Sequence, residues 1–133
     1  MNKIVNNLIG YGEEYISYVG IDLIKEEVKI GIKNIFRPGS NNCEFGFEVD
    51  RSIEEGALII TDVKKVFFDS QGTLPNDLEK LEVIPIENNL YKLIFYACDY
   101  DKKNHTPIPV IFTIIGENAY LIDMKDPDKK IIE

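Results

Sequence analysis

The chain has 133 residues, of which 44% are apolar and 29% are charged, and its formal net charge is -8. This length and composition predict one domain, residues 1–133, with a core that needs no disulfide or metal crosslink. The negative charge disfavours nucleic acid and anionic membranes as partners, because both are negatively charged themselves. It favours a basic protein partner, which the opposite charge attracts during the encounter.

Sorting signals and cysteines indicate the compartment. The N-terminal residues lack the continuous apolar segment and the small-residue cleavage site of a signal peptide. No apolar run approaches the roughly 20 residues that a membrane helix needs. Cys43 and Cys98 lie far apart in apolar contexts without a CxxC motif, so we expect small buried side chains in a reducing compartment, with a disulfide between them left open. We therefore expect a cytoplasmic protein.

The first part of the chain has a helical pattern. Apolar residues between positions 8 and 23 recur at spacings of three and four, as they do on one face of a helix. This spacing predicts a short helix around Asn2–Ile9 or a second around Glu13–Val19, with Gly20 ending it. Residues 1–23 are thus predicted to form a helical N-terminal segment.

From Glu27 onward the apolar period changes from three or four to two, which is typical of strands. Residues 27–36 and 43–49 both alternate apolar and polar side chains, and the turn-forming residues between them predict a hairpin. Ala57–Thr61 and Val63–Asp69 are expected to form two further short strands.

The region around Asn88 and Asn89 predicts a second hairpin. Residues 81–87 and 90–100 are both strand-like, and an Asn-Asn pair suits the two-residue turn between them. Pro85 makes the first of these strands an edge strand or the site of a bulge. The second is apolar on both faces, so we expect it to be central. Residues 109–115 and 119–123 complete the strands, and residues 124–133 are expected to form a loosely held polar tail.

Together these elements predict an α+β, β-rich fold. One or two short N-terminal helices would pack on a mainly antiparallel, strongly bent sheet or sandwich of about seven or eight strands, spanning residues 27–123.

The segment Tyr96–Pro109 is the most plausible place for chemistry. Asp99, Asp101 and the single histidine, His105, have the residue types of a metal or acid/base site. However, Lys102 and Lys103 follow the aspartates directly, and their ammonium groups compete with a cation. Calcium and zinc sites also need more ligands than this segment offers. The pattern favours a polar loop between two strands. No nucleophile motif or phosphate loop occurs elsewhere, so we expect no metal, no cofactor and no enzymatic activity.

Binding to a protein is the remaining interpretation. Tyrosine is enriched at interfaces because it buries a large area at low entropic cost and keeps a polar tip. The predicted partner-binding residues combine tyrosines with acidic neighbours: Tyr96, Asp99, Tyr100, Asp101 and Tyr120. The alternative is that these tyrosines cover the rim of the core.

In size, acidity, β-rich pattern and Tyr/Asp clustering, the chain resembles the small single-domain immunity proteins of bacterial toxin systems, including contact-dependent inhibition. The resemblance implies that the protein neutralises a basic, nuclease-like toxin by covering its active site with acidic and aromatic side chains. Two alternatives stay open. One is a small ligand-binding or hydrolase-like domain with a pocket between sheet and helices. The other is a structural subunit of a homo-oligomer, for which a homodimer is the simplest form.

Overall fold

The computed structural model describes residues 15–36, 52–68, 77–100 and 103–131. Within these residues the protein is all-β, with nine antiparallel strands and no helix. The strands are β1 (Tyr15–Asp22), β2 (Glu27–Phe36), β3 (Ser52–Thr61), β4 (Lys65–Phe67), β5 (Asp77–Pro85), β6 (Tyr91–Tyr100), β7 (Pro107–Gly116), β8 (Asn118–Asp123) and β9 (Asp126–Ile131).

The nine strands form one open sheet in the order β4-β7-β6-β5-β1-β2-β3-β8-β9. Near its middle, β1 and β5 share a single registered pair, Tyr15 with Asp77. That junction divides the sheet into a first layer, β4-β7-β6-β5, and a second layer, β1-β2-β3-β8-β9. The chain crosses between the layers twice, where β3 leads into β4 and where β7 leads into β8. Backbone bonds brace both crossings, from Lys64 N–H to the Ile115 carbonyl and from Glu117 N–H to the Thr61 carbonyl.

The core lies between the two layers. The period-two alternation gives most strands one apolar face, and the sheet folds over so that these faces meet. The two largest core side chains, Phe95 and Phe112, stack on neighbouring strands with ring centroids 4.5 Å apart. Both layers contribute to the same buried cluster, which includes Leu81, Leu93, Phe95 and Phe112 from the first layer and Ile30, Ile32, Leu58 and Leu121 from the second.

The predicted α+β fold is wrong, because a strand occupies most of the second predicted helix. β1 runs from Tyr15 straight through Gly20, the residue expected to end that helix. The pairing register of β1 shifts between Ile16 and Tyr18, which is a β-bulge. A bulge adds one residue, so Ile16 and Val19 reach the core side at the three-residue spacing that resembles a helix. The helix predicted around Asn2–Ile9 lies outside the described residues.

The predicted number of strands, seven or eight, is also wrong, since nine are present in the described part of the chain. Two of the nine were not predicted as strands: β1, and β9 in the segment expected to be a loose polar tail. β9 pairs with β8 through Ile131 and Lys130, and Ile131 packs against the core. Its other residues are mostly charged and exposed, which is typical of an edge strand protected from aggregation.

The Asn88-Asn89 hairpin is confirmed. β5 pairs with β6 from Pro85 opposite Tyr91 to Asp77 opposite Cys98. Both asparagines have a positive φ, 59° and 63°. These angles are the ones that a two-residue hairpin turn requires, and asparagine tolerates them. The strand predicted over residues 43–49 lies outside the described residues.

Candidate functional site

The five predicted partner-binding residues do not form one surface. Tyr96 in β6 and Tyr120 in β8 lie on the outer faces of different layers, on either side of the core. Asp99 is half-buried near the end of β6, where it pairs with Ile108. Tyr100 is the last residue of β6, and its side chain is not among those described. Asp101 lies outside the described residues.

Tyr96 is held in a polar cluster on the outer face of the first layer. Its hydroxyl donates a hydrogen bond to Glu82 Oε2 at 3.1 Å. Lys80 Nζ lies 3.7 Å from the same carboxylate oxygen and 5.5 Å from the centroid of the Tyr96 ring. The pKa of Tyr96 is raised, chiefly because this hydrogen bond to Glu82 favours the neutral phenol. The hydroxyl and ring of Tyr96 therefore already contact Glu82 and Lys80 of the same chain.

Tyr120 covers a small apolar cluster on the outer face of the second layer. It packs against Ala57, Ile59 and Ile122, and Lys130 Nζ lies 4.6 Å from its ring centroid. Burial, and to a lesser extent the charge of Glu27, raises the pKa of Tyr120. These contacts fit a residue that shields apolar side chains from water.

Asp99 lies in β6, and residues 103–105 lie in the connection between β6 and β7. His105 is exposed in the loop between β6 and β7, with a positive φ of 53°. Among the residues that the structure describes, no group of three or more His, Cys, Asp or Glu side chains is arranged to hold a metal ion. Asp101 is outside the described residues. Cys98 is buried, as expected, and Cys43 is outside the described residues as well.

The most unusual surface is the tip of the β1–β2 hairpin, Leu23–Glu26, together with Ile21 at its base. Leu23 is 83% exposed and Ile24 is 95% exposed, and the Ile21 side chain beside them is 46% exposed. The tip was not predicted from sequence, because Leu23 was included in the helically spaced apolar residues of the N-terminal segment. The available sequence signal was Asp22, because aspartate favours turns and this one directly precedes Leu23, Ile24 and Lys25.

The backbone of the tip is fixed from within. Asp22 Oδ1 accepts hydrogen bonds from the backbone N–H groups of Ile24, at 3.1 Å, and of Lys25, at 3.0 Å. The bond from Lys25 is the main reason why the pKa of Asp22 lies below its ordinary value. The carboxylate therefore stays charged at neutral pH and keeps the turn closed.

A second set of contacts fixes the tip against the β3–β4 connection. Glu26 has a positive φ of 55°, and its carbonyl accepts a hydrogen bond from Val63 N–H at 2.9 Å. The Glu26 carboxylate also lies 4.0 Å from Lys64 Nζ. Both side chains are largely exposed, so this ion pair adds little stability, but the backbone bond holds the hairpin in place.

A depression lies between the tip and the β3–β4 connection, and the space in and above it, open solvent included, is about 430 Å³. It is open to solvent and is not enclosed between the sheet and a helix. Its lining is half apolar and half charged, with Ile21, Leu23, Val28, Val63 and Val66 beside Asp22, Glu26, Glu27, Lys64 and Lys65. The hairpin thus presents projecting aliphatic side chains next to a hollow of mixed character.

Comparison with known proteins gives a family but no activity. A family model described as "Family of unknown function (DUF6258)" matches residues 3–133. This description names no toxin or immunity protein. No curated protein and no solved structure matches the chain. The described residues contain no helix long and apolar enough to span a membrane.

Proposed function

The chain belongs to the DUF6258 family, whose function is unknown, and from the geometry of its hairpin we propose that it is a protein-binding module. The partner contacts the tip of the β1–β2 hairpin, where Leu23 and Ile24 act as apolar anchors. The exposure of these two side chains is the observation that carries the proposal.

Exposed aliphatic residues are common on protein surfaces when they are scattered singly. Here three of them, Ile21, Leu23 and Ile24, fall within four positions at the end of one hairpin. Complete burial of each Leu or Ile side chain is worth about 1.5–3 kcal/mol. A partner that covers the tip gains this free energy, and grouped exposed apolar residues commonly mark such contact sites.

The rigidity of the tip also supports a binding role. Ordering a flexible loop on binding costs conformational entropy, about 0.5–1.5 kcal/mol for each immobilised side chain. The hydrogen bonds that Asp22 accepts and that Val63 N–H donates fix the backbone before any partner binds. The anchors are therefore presented in a preorganised turn, and less of the binding free energy is lost.

The chemical nature of the partner has a separate line of support. The net charge of -8 favours a basic protein, and a toxin domain neutralised by an immunity protein is one example of that class. The net charge is the only observation that supports a basic partner such as a toxin domain. The small-molecule alternative has the depression in its favour, but Asp22, the lining group with a shifted pKa, is occupied by backbone amides of its own turn.

Photo-crosslinking tests the proposal directly. A photoreactive phenylalanine replaces Ile24 in cells that normally express the protein, and the matched control places it at Ile86, an exposed residue that follows β5. We expect position 24 to give a discrete covalent adduct with a protein and position 86 to give none. Adding Leu23→Ser should lower the yield of the adduct from position 24. Equal labelling from both positions, or none from position 24, contradicts the proposal.

A further inference from the structure

We infer that the partner at the hairpin tip is a second copy of this chain, bound about a two-fold axis. This inference rests on the proposed function, since it assigns an occupant to the same site. In the dimer, the projecting side chains of each copy contact the depression of the other. The tip patch comprises Ile21, Leu23, Ile24 and the charged residues around them.

The local charge favours a second copy of the chain. Five charged residues line the depression and Lys25 lies beside them at the tip, which gives three acidic and three basic side chains: Asp22, Glu26, Glu27, Lys25, Lys64 and Lys65. These charges cancel, so the net charge of -8 belongs entirely to the rest of the chain. Two copies therefore repel each other least when their tip patches meet. A strongly basic partner finds no excess negative charge at this position.

The shape of the patch also suits a two-fold interface. A two-fold interface places the same surface of both copies face to face, so the surface must be complementary to itself. The tip patch has a projection, formed by Leu23 and Ile24, directly beside a hollow with apolar side chains such as Val63 and Val66. A rotation of 180° about an axis between them brings each projection to the opposite hollow.

Opposite charges also face each other across the depression. Glu26 and Glu27 lie on the hairpin, whereas Lys64 lies in the β3–β4 connection and Lys65 begins β4. The same two-fold rotation places the hairpin of one copy over the connection of the other. Carboxylates then face ammonium groups twice, once on each side of the axis.

Sedimentation velocity over a wide concentration range, from about 1 µM to 1 mM, tests the dimer, because small interfaces are typical of weak complexes. We expect a reversible dimer whose affinity increases between low and high salt, since salt screens the repulsion between two chains of charge -8. Binding to a basic partner has the opposite dependence and weakens in high salt.

Two double variants define the surface. Leu23→Ser with Ile24→Ser is expected to raise the dissociation constant at least tenfold. Ile86→Ser with Ile111→Ser removes two exposed isoleucines elsewhere and is expected to leave it unchanged. All four residues are exposed, so thermal unfolding should show that both variants remain folded.

A charge exchange tests the orientation. One variant carries Lys64→Glu and Lys65→Glu, and a second carries Glu26→Lys and Glu27→Lys. Each alone should self-associate more weakly than the unchanged protein, because like charges then face each other. An equimolar mixture should form a heterodimer that neither variant forms by itself.

The outcomes separate the inference from the function on which it rests. A chain that stays monomeric at every concentration and both salt levels overturns the dimer, as does equal weakening by the control variant or a mixture without heterodimer. If position 24 then still crosslinks to a different protein, the binding function stands and only its occupant changes. If position 24 crosslinks to nothing, the binding function is lost as well.

Discussion

Replacing Phe112 by leucine is expected to destabilise the protein by about 1–2 kcal/mol, because its ring is part of a stacked pair at the centre of the core. Phe112 is 1% exposed and Phe95 is 0% exposed, so neither ring has solvent on any side. Their centroids are 4.5 Å apart and their planes differ by 2°. Phe68 adds a further contact, tilted against Phe112 at 6.4 Å.

A double-mutant cycle isolates the contribution of the stack. Phe95→Leu and Phe112→Leu each remove the ring-to-ring contact and keep most of the apolar volume. Stacked aromatic pairs contribute about 0.5–1.5 kcal/mol beyond the area they bury. The double variant should therefore be more stable than the sum of the single losses implies, by about that amount.

Urea unfolding measures each step, with the slope of the transition checked for constancy. The melting temperature should fall by roughly 3–5 °C for each kcal/mol lost. The matched control is Phe67→Leu on neighbouring β4, where the side chain is 52% exposed and the expected change is within about 0.5 kcal/mol. The reasoning fails if Phe112→Leu costs no more than this control, or if the coupling energy is zero.

Gly116→Ala should destabilise by about 1–3 kcal/mol, because the new methyl group would lie 3.0 Å from the backbone carbonyl oxygen of Thr61. The methyl group of Gly20→Ala meets nothing within 4 Å, so this variant should stabilise the protein by about 0.4–1 kcal/mol. If the urea midpoints of the two variants shift by the same amount and in the same direction, the expected difference is contradicted. The pKa of Asp22 is lowered in the folded protein from 3.8, its ordinary value, so its carboxylate stabilises the fold above that pH and this contribution disappears as the pH falls through the lowered value. In NMR titrations, the amides of Ile24 and Lys25 should report a midpoint below 3.8, and a midpoint at or above that value refutes the interaction.

The strands with regular alternation could be predicted from sequence, because one buried face leaves a direct trace in the side chains. β2 is the clearest example, and the Asn88-Asn89 turn is another, since few residues accept its backbone angles. β1 could not be predicted in the same way. Its bulge beside Ser17 changes the spacing of core residues from two to three, which is the spacing used to recognise helices.

The site was harder to predict than the strands, because it depends on contacts between distant parts of the chain. An apolar residue such as Leu23 is expected to be buried, and only the folded hairpin places it at a projecting turn. Tyr96 and Tyr120 look alike in sequence, but strand order puts them on opposite layers. β9 could not be predicted from sequence because most of its side chains are exposed. An edge strand of this kind is held by backbone hydrogen bonds, which leave no apolar pattern in the sequence.

The pairing of β3 with β8 has a consequence for the nascent chain. β8 begins at residue 118, which is 57 positions after β3 ends at residue 61. At ribosomal speeds of about 5–20 residues per second, β3 waits roughly 3–11 s for this neighbour. During that interval one edge of a segment rich in Ala, Leu and Ile lacks its β8 hydrogen-bond partner, so the sheet is completed only near the end of synthesis. Slow translation of the last third of the chain should therefore lengthen the period in which the protein is most vulnerable to aggregation.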